Sequence, residues 1–216
     1  MRRKWVALDA MGVVFEEGDD TGELLVPYVK KAAPWAPEWR VRELYSLASL
    51  GAIAAPQFWL DLGLAAEFPR VDEEYLDTQF TPDPEFPAAA RKLAQSFRIG
   101  MLSNDVAEWS GYLRRKHGID GLFDVTVVSG RVGCRKPDAG IYRVFLKAAG
   151  ASPGDCVLVD DSPANLRTAL DLGMHAVLFC RGEKTGAFPH EVSGFGELAE
   201  ALPRILPPTS APPPGC

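Results

Sequence analysis

Short apolar runs recur along this chain at intervals long enough to hold a helix, and that alternation limits the folds open to it. The runs cover residues 5–8, 98–102, 125–128, 156–159 and 175–179, and each is followed by turn chemistry. Helix-like segments at 84–96, 108–117, 139–149 and 164–172 fall between most of them. Parallel strands need a crossover of about a dozen residues, which a helix supplies, whereas antiparallel neighbours can be joined by tight turns. The pattern therefore predicts βαβ units and an α/β fold built on a doubly wound parallel sheet. Gly118, Gly150 and Gly173 sit just past three of the helical segments, where a left-handed cap favours glycine.

Residues 17–81 break this rhythm. They hold no convincing strand and read as helices at 22–31, 37–50, 56–64 and 72–80, an α-helical module inserted after the first strand. Its aromatics, Trp35, Trp39, Tyr45, Phe58, Trp59, Phe68, Tyr75 and Phe80, read chiefly as buried helix packing, with a minority free to line a pocket. The acidic run Glu16, Glu17, Asp19, Asp20 and Glu23 at its entry reads as solvated hinge or helix-start charge. The organisation expected is thus a core of 1–16 and 82–206, an insertion of 17–81 and a disordered proline-rich tail of 207–216. Six prolines fall between 203 and 216.

Composition enters as an exclusion. With 23 basic against 29 acidic side chains the net charge is −6, and no long Lys/Arg block is present, so neither nucleic acid nor an anionic membrane is an expected partner. No stretch approaches the ~20 apolar residues of a membrane span. Met1-Arg2-Arg3-Lys4 and the apolar run after it resemble a signal peptide only until Asp9 interrupts them, so the segment reads as the first strand of a cytoplasmic protein. The four cysteines are too scattered for a zinc ribbon or a disulfide scaffold, and His117, His175 and His190 lack metal-ligand spacing. Gly194-Phe195-Gly196-Glu197-Leu198-Ala199 fits a dinucleotide fingerprint, but no clear strand precedes it and too little chain follows for a βαβ unit.

In an open parallel sheet ligands bind beyond the carboxyl ends of the strands. Asp9 follows the first run, Ser103 and Asn104 follow the second, and Asp160 and Asp161 follow 156–159, while Lys136-Pro137-Asp138 opens a helix. Singly, each Asp or Ser is more often a helix cap or a turn former than a catalyst. Their joint placement around one crevice marks a candidate site.

These residues stand in motifs that resemble the haloacid dehalogenase-like hydrolase superfamily. The first is Val6-Ala7-Leu8-Asp9-Ala10-Met11-Gly12-Val13-Val14, the second Gly100-Met101-Leu102-Ser103-Asn104, the third Arg135-Lys136-Pro137-Asp138, and the fourth Val157-Leu158-Val159-Asp160-Asp161-Ser162-Pro163-Ala164-Asn165. Each is weak alone; four in order, each at a strand end or helix start, are specific. The resemblance implies a Rossmann-like core, and the insertion lies where one subgroup carries a helical cap; Gln57-Phe58-Trp59 and Leu62-Gly63-Leu64 are similar to a helix of that cap. It further implies Asp9 as a nucleophile forming an aspartyl-phosphate, with Mg²⁺ held by Asp9, the main-chain carbonyl of Met11, Asp160 and Asp161. Ser103, Asn104 and the backbone N–H groups of Ala10 and Met11 would bind the phosphoryl group of a small phosphorylated metabolite, and Lys136 would offset charge. The protein is then expected to be a hydrolase, as a monomer or a homodimer.

Met11 departs from the pattern. Phosphatases of this family usually carry there a second Asp, which protonates the leaving oxygen, and Met cannot hold a proton. Another group or water takes over that role, or the protein is a metal-free 2-haloacid dehalogenase whose halide needs no proton, or it is a catalytically impaired ligand-binding homologue. Paired acids facing Asp9 would repel one another without a cation, which favours a metal site and phosphate chemistry.

Overall fold

The structure, a computed structural model, describes residues 3–207. The tail expected at 207–216 lies outside them except for Pro207. Six strands form one parallel sheet: β1 Trp5–Leu8, β2 Arg98–Ser103, β3 Val125–Val128, β4 Cys156–Asp160, β5 His175–Phe179 and β6 Glu191–Val192, in the order β3-β2-β1-β4-β5-β6. The doubly wound parallel sheet expected from the sequence is the one found, with β6 added. At two residues β6 is too short to show as an apolar run. It also means that a strand does precede Gly194, contrary to expectation. Only the closing helix Phe195–Ile205 follows it among the described residues, so no βαβ unit is built there. That helix runs through Pro203.

The strands read as unbroken apolar runs because both faces of the sheet are covered. Trp5, Ala7, Leu102 and Leu158 pack on one face with Ile141, Tyr142, Phe145 and Leu166 of the helices Ala139–Ala149 and Pro163–Asp171. Val6, Leu8, Ile99 and Val157 pack on the other with Phe86, Leu93, Trp109 and Leu198, from the helices Phe86–Leu93, Ala107–Lys116 and Phe195–Ile205. Gly118, Gly150 and Gly173 take the positive φ that ends a helix in a left-handed cap.

Between β1 and β2 the chain forms the helices Val26–Ala32, Glu38–Ala48, Ala55–Asp61 and Arg70–Thr78. The two passages into and out of this stretch run side by side: Glu16 N donates to Thr81 O at 3.0 Å, and Asp83 N to Val14 O at 2.9 Å. The helices do not keep a core of their own. Leu44, Tyr45, Phe58, Trp59 and Tyr75 join the hydrophobic cluster that includes Trp109 and the β1 residues. Asp72 ties the two parts together, accepting the indole N–H of Trp59 and that of Trp109, each at 2.6 Å. Of the aromatics expected to be buried, Trp35 and Trp39 are instead 67% and 66% exposed.

Candidate active site

The sheet order reverses direction between β1 and β4, and such a switch point opens a crevice at the carboxyl ends of the strands. Leu8 is in register with Val159, so Asp9 and Asp160 leave neighbouring strands side by side. Lys136 bridges them. Its ammonium lies 2.8 Å from Asp9 Oδ1 and 2.6 Å from Asp160 Oδ2, and its side chain is wholly buried. Asp160 is held further by the main-chain N–H of Ser162 at 2.8 Å and by Asn165 Nδ2 at 2.9 and 3.1 Å.

Asp161 completes a group of three carboxylates, with Asp9 and Asp160, whose ligand oxygens all lie within 4.8 Å of one another. Its Oδ2 nestles between Gly12 and Gly18, where any Cβ would overlap it, and Gly12 has a φ of +73°, so glycine is required there twice over. The electrostatics follow from this crowding. Burial and the neighbouring Asp160 push Asp9 well above the usual carboxylate range, although Lys136 opposes them. Burial and Asp160 likewise push Asp161 up to about 6. Burial disfavours the Lys136 charge, but Asp160 and Asp9 outweigh it and hold the ammonium above its ordinary value. Three acids against one lysine leave an excess of negative charge surrounded by hard oxygen donors. That donor set fits Mg²⁺, which is bound through one or two carboxylates together with substrate phosphate.

The remaining expected residues are also near. Ser103 ends β2 fully buried, and its Oγ has no hydrogen-bond partner, an orphaned hydroxyl that a ligand oxygen would satisfy. Asn104 spends its side chain on the main chain of Lys136, donating from Nδ2 to the carbonyl at 2.9 Å and accepting from the N–H at 2.7 Å; it positions the lysine. Ala10 N donates to Asp9 Oδ1 at 2.7 Å, so this N–H orients the carboxylate. Met11 is 7% exposed and lies in the bend that follows Asp9.

Arg181 escaped the sequence reading. Two residues beyond β5, its guanidinium donates to Gly12 O at 3.0 Å and Val13 O at 2.6 Å and pairs with Asp83 at 2.9 Å, stapling the bend after Asp9 to the returning chain. The same rule that singled out Asp9, applied to the end of β5, points to it. A correction also concerns the acidic run at 16–23. Asp19 is a helix-start cap, accepting from Gly22 N at 2.8 Å, but Asp20 is part-buried. It accepts a hydrogen bond from the Tyr45 hydroxyl at 2.9 Å, and burial raises its pKa.

Close by, Asp105 is 2% exposed; its Oδ1 accepts from Val106 N at 2.7 Å and its Oδ2 has no partner. Burial, then the charge of Asp20, raise its pKa well above 3.8. A carboxyl whose pKa is raised in the folded state holds its proton there longer than in the unfolded chain. Its contribution therefore turns against folding as pH rises from the unfolded value upward. Asp105→Asn is expected to raise stability at neutral pH by on the order of 1 kcal/mol and to flatten its fall with pH, as read by urea denaturation from pH 4 to 8.

Comparison with known proteins points to one family. A protein-family model described as haloacid dehalogenase-like hydrolase matches residues 6–173. A phosphoserine phosphatase of Thermus thermophilus is 30% identical over 161 residues, 72% of this chain and 60% of that enzyme, so the chain spans less than two thirds of its length. Among solved structures, a HAD-family enzyme of Bacteroides thetaiotaomicron superposes with a TM-score of 0.72 at 17% identity, covering 85% of this chain and 97% of that one. The same enzyme has been solved with magnesium and inorganic phosphate. An L-2-haloacid dehalogenase of Xanthobacter autotrophicus superposes with a TM-score of 0.66 at 17% identity over 93% of this chain and 98% of that one. At such identities the superpositions speak for the fold alone.

Proposed function

The chain belongs to the haloacid dehalogenase-like hydrolase family, and within it we propose that this protein is a Mg²⁺-dependent phosphatase of a small phosphorylated metabolite, working through an aspartyl-phosphate on Asp9. The observation that carries the proposal is the group Asp9, Asp160 and Asp161 gathered around the buried Lys136. Asp9, Asp160, Asp161 and the Met11 carbonyl would hold the cation, which when bound neutralises phosphate charge. A dispersed anion approaches a carboxylate only where such compensation is built in.

The chain's own residues do the rest. The Lys136 and Ala10 contacts both fall on Asp9 Oδ1, which leaves Oδ2 to attack phosphorus. Lys136 stabilises negative charge at the attacking group, and the Ser103 hydroxyl donates to a phosphoryl oxygen. The insertion acts as a cap: Ser129 Oγ donates to Ser49 O at 2.5 Å and Arg135 to Ser49 Oγ at 3.0 Å, so the segment after Glu38–Ala48 reaches the loop that carries Lys136. Such a cover excludes water and selects the leaving group. The fold is also shared with a haloacid dehalogenase, and Met11 suits a halide, which leaves without a proton.

Turnover of p-nitrophenyl phosphate separates the two. Activity lost in EDTA and restored by Mg²⁺ is the expected result. Halide release from 2-chloropropionate that survives EDTA would replace the phosphatase reading with the dehalogenase.

A further inference from the structure

Resting on the phosphatase reading, we propose that Asp20 supplies the proton that Met11 cannot, acting as general acid and then general base. Its place in the fold can be bounded from two sides. Gly18 lies against the acid group, since a Cβ there would stand 2.5 Å from Asp161 Oδ2 and 3.8 Å from Gly12 Cα. Asp20 is two residues further on, within about 7 Å by the reach of the chain. On its other side Tyr45, which donates to Asp20 Oδ2 at 2.9 Å, stacks on Trp109 with ring centroids 6.2 Å apart. Trp109 belongs to the helix Ala107–Lys116, which opens one residue after Ser103, Asn104 and Asp105. Asp20 is thus flanked by the end of β4 and the end of β2. The strand between those two in the sheet is β1, which ends at Asp9 and Met11.

The environment suits a proton carrier. Burial favours the neutral carboxyl, and the nearby Asp105 carries a second acid whose proton affinity Asp20 itself raises. Tyr45 fixes Oδ2, while Thr21 donates to the Asp20 carboxylate, its hydroxyl lying 3.3 Å from Oδ1. In the first step Asp9 Oδ2 bonds to phosphorus as the bond from phosphorus to the alcohol oxygen breaks. The Asp20 proton passes to that oxygen, and a neutral alcohol departs. In the second step water attacks the aspartyl-phosphate and gives its proton to the Asp20 carboxylate. Inorganic phosphate leaves, and the Asp9 carboxylate and the Asp20 acid are restored.

The test is leaving-group dependence. p-Nitrophenolate leaves with little help, whereas the alkoxide of glycerol 3-phosphate needs a proton. Asp20→Asn, which keeps an acceptor for Tyr45, is expected to lose about 10²–10⁴-fold in kcat/KM on glycerol 3-phosphate but no more than about tenfold on p-nitrophenyl phosphate. Tyr45→Phe, which leaves the carboxyl in place but frees it, is expected to show the same selectivity in weaker form, and it supplies a second reading if Asp20→Asn folds poorly. Equal losses on both esters, or none on either, would overturn the proposal, as would the selective loss appearing in Glu17→Gln or Asp105→Asn instead. Asp9→Asn run alongside tells the two failures apart. If it is inactive while Asp20→Asn is unselective, only the proton role falls. If Asp9→Asn turns over as well as the unmodified protein, the phosphatase reading falls and this proposal with it.

Discussion

Asp9→Asn is expected to abolish turnover of phosphate esters, by on the order of 10⁴-fold or more, as removal of a nucleophile that acts as one unit with its partners does elsewhere. The substitution is close to isosteric, and its amide still offers Oδ1 to Ala10 N and Lys136. It also removes a carboxylate whose burial and nearness to Asp160 oppose its charge. The variant should therefore be folded and at least as stable as the unmodified protein. Loss of activity with stability retained, measured by steady-state kinetics and thermal unfolding on the same preparation, separates a chemical role from a structural one.

Lys136→Met should act in the opposite sense on stability. The ammonium is the shared partner of Asp9 and Asp160, and its side chain is wholly buried. Removing one member of a buried ion pair leaves uncompensated charge and typically costs about 3–5 kcal/mol. Methionine fills much of the lysine volume, so the loss reports charge more than packing. Because Lys136 is held above its ordinary pKa, the stability it provides is fully present below the unfolded value and is lost only as pH rises through the higher folded one. Lys136 stays charged throughout pH 6 to 8, but it also holds down the pKa of Asp9 and Asp161, so the deficit of the variant should grow from pH 6 to 8 by urea denaturation. Adding Mg²⁺ should recover part of it, since a divalent cation among Asp9, Asp160 and Asp161 replaces the missing positive charge. Activity should fall with the lysine even where the fold is restored.

What the sequence disclosed follows from physics that acts locally. The five runs were readable because strands covered on both faces must be apolar throughout, and Asp9, Ser103 and Asp160 were readable because a polar residue ending such a run stands out. Lys136 was readable only through the motif around it; nothing local says that an exposed-looking Arg135-Lys136-Pro137 buries its lysine between two acids. β6 was hidden by its length, since two residues paired to an edge carry no periodicity. Arg181 could be singled out as a residue just beyond β5, but its role could not, because it reaches main-chain carbonyls of the bend after Asp9, 169 positions away at Gly12, a contact that leaves no trace in either segment. Asp20 is the instructive case. In an acidic run the default is solvated charge, and only the fold shows that one member of the run turns inward to Tyr45 while Asp19 caps a turn. The exposed Trp35 and Trp39 mislead in the other direction: Trp39, in the helix Glu38–Ala48, reads as core whether or not a partner covers it, and Trp35 sits in the turn before that helix.

The most direct measurement is to quench the reaction of the Mg²⁺-loaded protein with p-nitrophenyl phosphate in acid within its first turnover and map the peptides by mass spectrometry. The expected result is the mass of one phosphoryl group on the peptide that carries Asp9, absent from the Asp9→Asn protein and lost when the quench is delayed past substrate exhaustion. p-Nitrophenol released in a full first turnover, with that peptide unmodified at every quench time or with the phosphoryl group on another residue, would contradict nucleophilic catalysis by Asp9.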